Sequence, residues 1–328
     1  MKAPSFWSHK TALSTALLPL SFLYQIASQW RMKRTRPYQA KMPIICVGNL
    51  TSGGTGKTPV CAALAELAKE NGLKPVILSR GYGGSLAGPV LLALDKYDAK
   101  QTGDEPRLLA QSAPIVIARN RADGARFIEK EMACDIIIMD DGLQNPQLAK
   151  DIKIGVFDGE IGIQNGRIFP AGPLRTSIND GQKMLDIILI NGADKHHIAD
   201  LMRPISAFSF DLAPQKTPQK TKSLKTKNLI AFAGIGRPKR FFDMLARQGY
   251  KLVQHYDFGD HHAYSEAELS RLLDEAKATG AHLITTEKDW VRLAPSWQKL
   301  IDYYPVQLAM TKTDKTKLAS QIFAKLKT

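Results

Sequence analysis

A chain of 328 residues is long enough for two compact domains, and its 44% apolar content excludes a chain that is disordered throughout. With 45 Lys and Arg against 31 Asp and Glu, the net charge is +14; this points to an anionic partner (nucleic acid, an acidic membrane surface or a phosphorylated substrate) without choosing among them. Cys46, Cys61 and Cys134 stand far apart in apolar contexts, which excludes a CxxC motif and fits a reducing, cytosolic compartment with the thiols as small core residues.

The first predicted element is the uncharged stretch 11–29, TALSTALLPLSFLYQIASQ. Lys2, His9 and Lys10 precede it, Arg31, Lys33, Arg34 and Arg36 follow, and Trp7 and Trp30 lie near its ends. A secretory signal would need a small-residue cleavage site, and none follows convincingly. A spanning helix needs about 20 strongly apolar residues, whereas Ser, Thr, Gln and Pro interrupt this one. Apolar residues with aromatic ends and basic flanks are what a helix lying in the membrane interface requires, and that reading is preferred. A spanning anchor and a helix packed on the protein's own core are the alternatives.

From residue 42 to about 160, short apolar runs at 44–47, 76–79, 115–118, 136–139 and 152–157 alternate with helical stretches at 57–70, 105–111 and 122–132. This alternation predicts an α/β fold, a mainly parallel sheet with helices on both faces and ligands at the carboxyl ends of its strands. A second αβ series follows, with strands at 187–190, 229–233, 282–286 and 306–309 and helices at 237–248 and 266–279. Ser265 and Glu268 form a capping box for the last of these, with Leu269, Leu272 and Leu273 as its buried stripe. The stretch 214–227, PQKTPQKTKSLKTK, has no apolar period and reads as a solvated loop; its five lysines weaken any nucleic-acid reading of the net charge. The expected organisation is a docking segment at 1–38, a core at 39–160 and a smaller second α/β domain at 161–328, whose C-terminal helix is free to return to the core.

The chemistry begins after the first strand, at VGNLTSGGTGKTPV (47–60). Strand, glycine-rich turn and helix form a phosphate-binding loop over Thr51, Ser52, Gly53, Gly54, Thr55, Gly56, Lys57 and Thr58. Its glycines expose backbone N–H groups to phosphate oxygens, Lys57 faces the β- and γ-phosphates, and the Thr58 hydroxyl serves Mg²⁺. Thr51 stands where the usual pattern has its first glycine. The glycine doublet resembles that of the signal-recognition and MinD-like NTPases, although the lysine typical of the MinD subgroup is replaced by Ser52. CDIIIMDDGLQ (134–144) ends an apolar run in Asp140 and Asp141, as a Walker B strand does, with one carboxylate toward Mg²⁺. SRGYGG (79–84) and NRADG (120–124) follow strands and GDEP (103–106) opens a helix; each alone fits ordinary turn chemistry, and together they fall on the edge of the phosphate-binding loop if the sheet is parallel.

In combination with FPAGPLR (169–175), AFAGIGRPKRFF (231–242), FGDHHAY (258–264) and TTEKDWVRL (285–293), these motifs closely resemble the tetraacyldisaccharide 4′-kinase family, the lipid A kinases of Gram-negative bacteria. Thr51 in place of the first glycine is typical of that family. The resemblance covers nearly the whole chain and implies ATP and Mg²⁺ as cofactors. It implies transfer of the γ-phosphate to the 4′-hydroxyl of tetraacyldisaccharide 1-phosphate, giving the 1,4′-bisphosphate, by a peripheral enzyme on the cytoplasmic face of the inner membrane. It also implies that the smaller domain closes over the nucleotide. Matched by motif, Asp104 is the expected base and His261 its partner, with Lys57 and Asp141 also catalytic. Thr58, Asp140 and Glu105 are expected near the metal; Gln144 is expected to bind substrate near Mg²⁺ and the attacking hydroxyl, and Arg80, Tyr82, Arg121 and Arg175 around the phosphates or the sugar headgroup. Two positions depart from the family pattern: Thr176 replaces a glutamate, to which no role is assigned, and Leu143 replaces a phenylalanine, an apolar exchange that packing tolerates. A membrane-docked regulatory NTPase is the alternative function. A nucleic-acid-binding ATPase rests on charge alone, and neither nucleic acid nor a protein partner is inferred.

Overall fold

The computed structural model describes residues 4–215, 224 and 227–326; most of the expected lysine-rich loop at 214–227 lies outside the described residues. The strands are β1 Ile44–Gly48, β2 Pro75–Ser79, β3 Val90–Leu91, β4 Ile115–Ile117, β5 Ile136–Asp140, β6 Ile152–Asp158, β7 Ile187–Asn191, β8 Ser206–Pro214, β9 Asn228–Ala233, β10 Lys251–Asp257, β11 His282–Thr286, β12 Asp302–Tyr304 and β13 Val306–Ala309. The first helices are α1 Ala12–Ala16, α2 Leu18–Arg34, α3 Lys57–Glu70, α4 Ala99–Thr102, α5 Asp104–Leu109 and α6 Arg121–Glu131. The chain divides into two compact units, Ala3–Leu212 with Leu308–Thr328, and Ala213–Gln307.

The larger unit is built on a sheet of order β13-β8-β7-β6-β1-β5-β2-β4-β3. The pairs from β8 through β4 are parallel, and the short edge strand β3 is antiparallel to β4. Alternation along the strands explains the two layers that cover it. Ile45 and Val47 of β1 and Ile136 and Ile138 of β5 face one core, with Val60, Cys61, Leu64 and Leu67 of α3 and Leu318 and Ile322 of the C-terminal helix. Ile44, Cys46, Ile137 and Met139 face the other, with Ala125 and Ile128 of α6. Each fully buried Leu or Ile contributes about 1.5–3 kcal/mol, so both faces of the central strands are strongly held and their carboxyl ends become a rigid shelf.

The expected boundary at 160 falls between β6 and β7 of this one sheet, and the second unit begins only at Ala213. The physical reason is local: Ile187–Asn191 is a wholly buried apolar strand, and such a run says that a strand is covered on both faces without saying which sheet it joins. The smaller unit holds a parallel sheet of order β10-β9-β11-β12, and the capping box of Ser265 and Glu268 opens its helix Glu266–Ala278. β10 was not predicted; five of its seven residues are exposed, so it carries no buried alternation.

At the N-terminus α1 and α2 replace the single expected element, with Pro19 in the first turn of α2. The helices are anchored through Ser21, whose hydroxyl donates to Ile168 O (2.7 Å) and accepts from Ala171 N (3.1 Å), and through Trp7, whose indole donates to Pro170 O (3.0 Å). Leu13, Leu18, Leu20, Phe22, Leu23, Ile26 and Trp30 remain exposed. Among the described residues no helix is long and apolar enough to cross a membrane.

Candidate active site

The phosphate-binding loop connects β1 to α3. Gly56 caps α3 with φ +100, and no side chain makes a capping hydrogen bond there, which leaves the first N–H groups available to an anion. A Cβ at Gly56 would also lie 2.9 Å from Asn191 Nδ2. Thr51 forms an antiparallel bridge with Leu174, and Ser52 N donates to Pro173 O at 2.8 Å. Thr51 is buried and is not among the non-glycine residues with positive φ. A β-branched residue fits there because the chain is pinned against FPAGPLR and needs no glycine-only conformation.

The two adjacent aspartates face different partners. Asp140 is buried at the end of β5, where Ser79 Oγ donates to Oδ2 at 3.3 Å and the Cys61 thiol to Oδ1 at 3.7 Å. Burial, followed by the negative charges of Glu105 and Asp141, pushes its carboxyl up to about 7 against the pull of Lys57 and Arg121. Asp141 has φ 46. Arg175 Nη1 donates to its two oxygens at 3.0 and 3.2 Å, and Lys57 Nζ lies 3.9 Å from Oδ1. Burial pushes the Asp141 carboxyl up, but Lys57, Arg175 and Arg121 outweigh it and hold the group below its ordinary value. Asp141 is thus satisfied by cations of the protein, whereas Asp140 is a buried carboxylate that an incoming cation would stabilise.

Thr58, Asp140 and Glu105 are an all-oxygen set of the kind Mg²⁺ takes, and the raised Asp140 carboxyl matches a cation beside it. Among the described residues no group of three or more His, Cys, Asp or Glu is placed to hold a metal.

Asp104 opens α5 beside the SRGYGG loop. Gly103 has φ +78, and a Cβ there would lie 2.2 Å from Tyr82 O; the glycine permits the close backbone approach that joins GDEP to SRGYGG. Tyr82 is 70% exposed. Gln144 Nε2 donates to Asn49 O at 3.1 Å, and Arg175 Nη1 lies 3.5 Å from its Oε1. Arg121, expected around the phosphates or the sugar headgroup, is held in this structure by main-chain carbonyls. It is buried and donates to Ala118 O (2.7 Å) and Asp140 O (3.0 Å), and burial pulls its pKa down to about 10. Its guanidinium is committed to the main chain that carries Asp140. Asn191, at the carboxyl end of β7, belongs to no recognised motif; its amide donates to Thr55 O at 3.1 Å and supports the loop. A polar residue directly after a buried apolar run was the available signal.

In the smaller unit His261 lies on the loop after β10, at the carboxyl edge of that sheet. Its φ is 58, its N–H donates to Gly234 O at 3.0 Å, and Lys288 Nζ is 3.4 Å from its Nε2. His262 is packed instead, stacked on Phe258 (4.8 Å between centroids), with Nε2 3.1 Å from Glu268.

A family model described as "Tetraacyldisaccharide-1-P 4'-kinase" matches residues 13–327. Among curated relatives, the tetraacyldisaccharide 4'-kinase of Rhodospirillum centenum is 41% identical over 320 residues, covering 96% of this chain and 94% of that protein. That of Methylobacterium nodulans is 44% identical over 331 residues, covering 99% and 96%. Among solved structures, the "apo" form of LpxK from Aquifex aeolicus in complex with ATP superposes with a TM-score of 0.76 at 24% identity, covering 96% of this chain and 99% of that one, a likeness of fold. On the family match and these full-length relatives, the chain belongs to the tetraacyldisaccharide 4′-kinase family.

Proposed function

We infer that this chain transfers the γ-phosphate of ATP to the 4′-hydroxyl of tetraacyldisaccharide 1-phosphate, giving ADP and the 1,4′-bisphosphate. The observation that carries the reading is the match to one kinase family over residues 13–327, which includes both the phosphate-binding loop and the Asp140–Asp141 strand end. The hydroxyl oxygen forms a bond to the γ-phosphorus, the bond to the β–γ bridging oxygen breaks, and Asp104, with His261 as its partner, takes the hydroxyl proton. Loop N–H groups and Lys57 hold the phosphates; Asp141 and Arg175 keep Lys57 and Gln144 in place. When bound, Mg²⁺ would be held by Thr58, Asp140 and Glu105 and would offset phosphate charge.

The exposed apolar face of α1 and α2, with Arg31, Lys33 and Arg34 in the last turn of α2, supports docking on an anionic membrane from its cytoplasmic side. ADP release measured with and without the acylated disaccharide in mixed micelles tests the reading. Turnover that rises with the acceptor supports it; equal slow hydrolysis in both, with no phosphorylated lipid, supports the regulatory NTPase instead.

A further inference from the structure

We propose that Arg292, held by the buried carboxylate of Asp289, is a positioning residue for His261; this rests on the reading of His261 as partner of the base. Arg292 belongs to TTEKDWVRL, a motif to which no role was assigned. Its guanidinium binds three separate backbone segments at the carboxyl edge of the smaller sheet. Nη1 donates to His262 O at 3.1 Å, Nη2 to Gly234 O at 3.3 Å, and Nε to Lys288 O at 3.1 Å. Those carbonyls bracket His261. Gly234 O is also the acceptor of the His261 N–H, His262 is the next residue, and Lys288 carries the ammonium 3.4 Å from the imidazole.

Asp289 fixes the Arg292 fork in turn. It is fully buried and lies 3.0 Å from Arg292 Nη2. It also accepts from Tyr264 OH (2.9 Å), Thr286 Oγ1 (2.6 Å) and Gly234 N (3.1 Å to each oxygen). One buried carboxylate and one planar fork therefore tie together FAGIG, FGDHHAY and TTEKDWVRL, three motifs distant in sequence. Their common product is a histidine held at a φ of 58, a left-handed conformation uncommon for a residue other than glycine, and here fixed by these hydrogen bonds. A lysine at 292 would keep the charge beside Asp289 but has no rigid fork to span the three carbonyls.

The test measures steady-state phosphoryl transfer by R292K, Y264F and H261A and by the two double variants with H261A, with melting temperatures alongside. A 1 Å misplacement of a reacting group costs up to about 100-fold, and R292K is expected to lower kcat about tenfold while KM for ATP stays within about twofold. Y264F, which loses one hydrogen bond to Asp289, is expected to lower kcat about threefold. In the H261A background neither substitution should lower kcat further, because both act through the imidazole. The proposal is overturned if R292K turns over like the parent, or if the losses multiply with that of H261A. If R292K does not fold, Y264F decides by the same criteria. If H261A itself retains full turnover, the reading of His261 fails and this proposal falls with it, an outcome distinct from an inert R292K beside a crippled H261A.

Discussion

Replacing Asp140 by Asn should stabilise the nucleotide-free protein while disabling it. In the folded chain the Asp140 carboxyl is raised from 3.8 to about 7, first by burial and then by Glu105 and Asp141. A group raised in this way contributes stability that is fully present below the unfolded value and is lost as pH rises through the folded one, because the ionised form must then be kept in a site that disfavours it. The gap between 3.8 and about 7 is equivalent to roughly 4 kcal/mol once pH exceeds both values. An amide of the same shape removes the charge and keeps an acceptor for Ser79. D140N should therefore gain about 2–4 kcal/mol over the parent near pH 8, and about 1 kcal/mol or less near pH 4.5. Urea unfolding in EDTA without nucleotide, at both pH values, reads this directly. A D140N protein no more stable than the parent near pH 8, or a gain that does not change with pH, would refute the electrostatic reasoning.

Asp104→Ala should lower turnover by about 100-fold or more while nucleotide affinity stays within a few-fold; a collapse of affinity in a binding titration would instead make Asp104 a metal or scaffold residue. Gly103→Ala places a Cβ 2.2 Å from Tyr82 O at a φ of +78, and should cost more than about 1 kcal/mol in urea unfolding. Phe22 and Leu23 are exposed on α2, and burying each in lipid is worth about 1.5–3 kcal/mol. The double change to Asp should therefore cut sedimentation with anionic vesicles more than tenfold and leave ATP affinity unchanged; vesicle binding equal to the parent's would defeat the docking role.

The phosphate-binding loop and the Asp140–Asp141 strand end could be read in the sequence because their chemistry is written in contiguous residues on a strand–turn–helix. The central sheet could be read for a similar reason: strands buried on both faces are uninterrupted apolar runs, such as Ile136–Asp140. What depends on distant contacts was hidden. Arg121 looks like a loop arginine at a strand end, and only the fold shows its guanidinium turned onto Ala118 and Asp140 carbonyls. Asp289 and Arg292 sit in a polar segment whose partners, Gly234 and Tyr264, lie 55 and 25 residues away from Asp289. The placement of β7 needed its pairing with β6, which periodicity does not supply. The different surroundings of Asp140 and Asp141 depend on Arg175, 34 residues beyond Asp141.

The most direct measurement is transfer of radiolabelled γ-phosphate from ATP to tetraacyldisaccharide 1-phosphate in mixed micelles, with the position of the new ester identified on the product. The account predicts label on the lipid at the 4′-oxygen, dependent on Mg²⁺ and abolished by Lys57→Ala. Folded protein that binds ATP but leaves the lipid unlabelled, or labels it elsewhere, would contradict it.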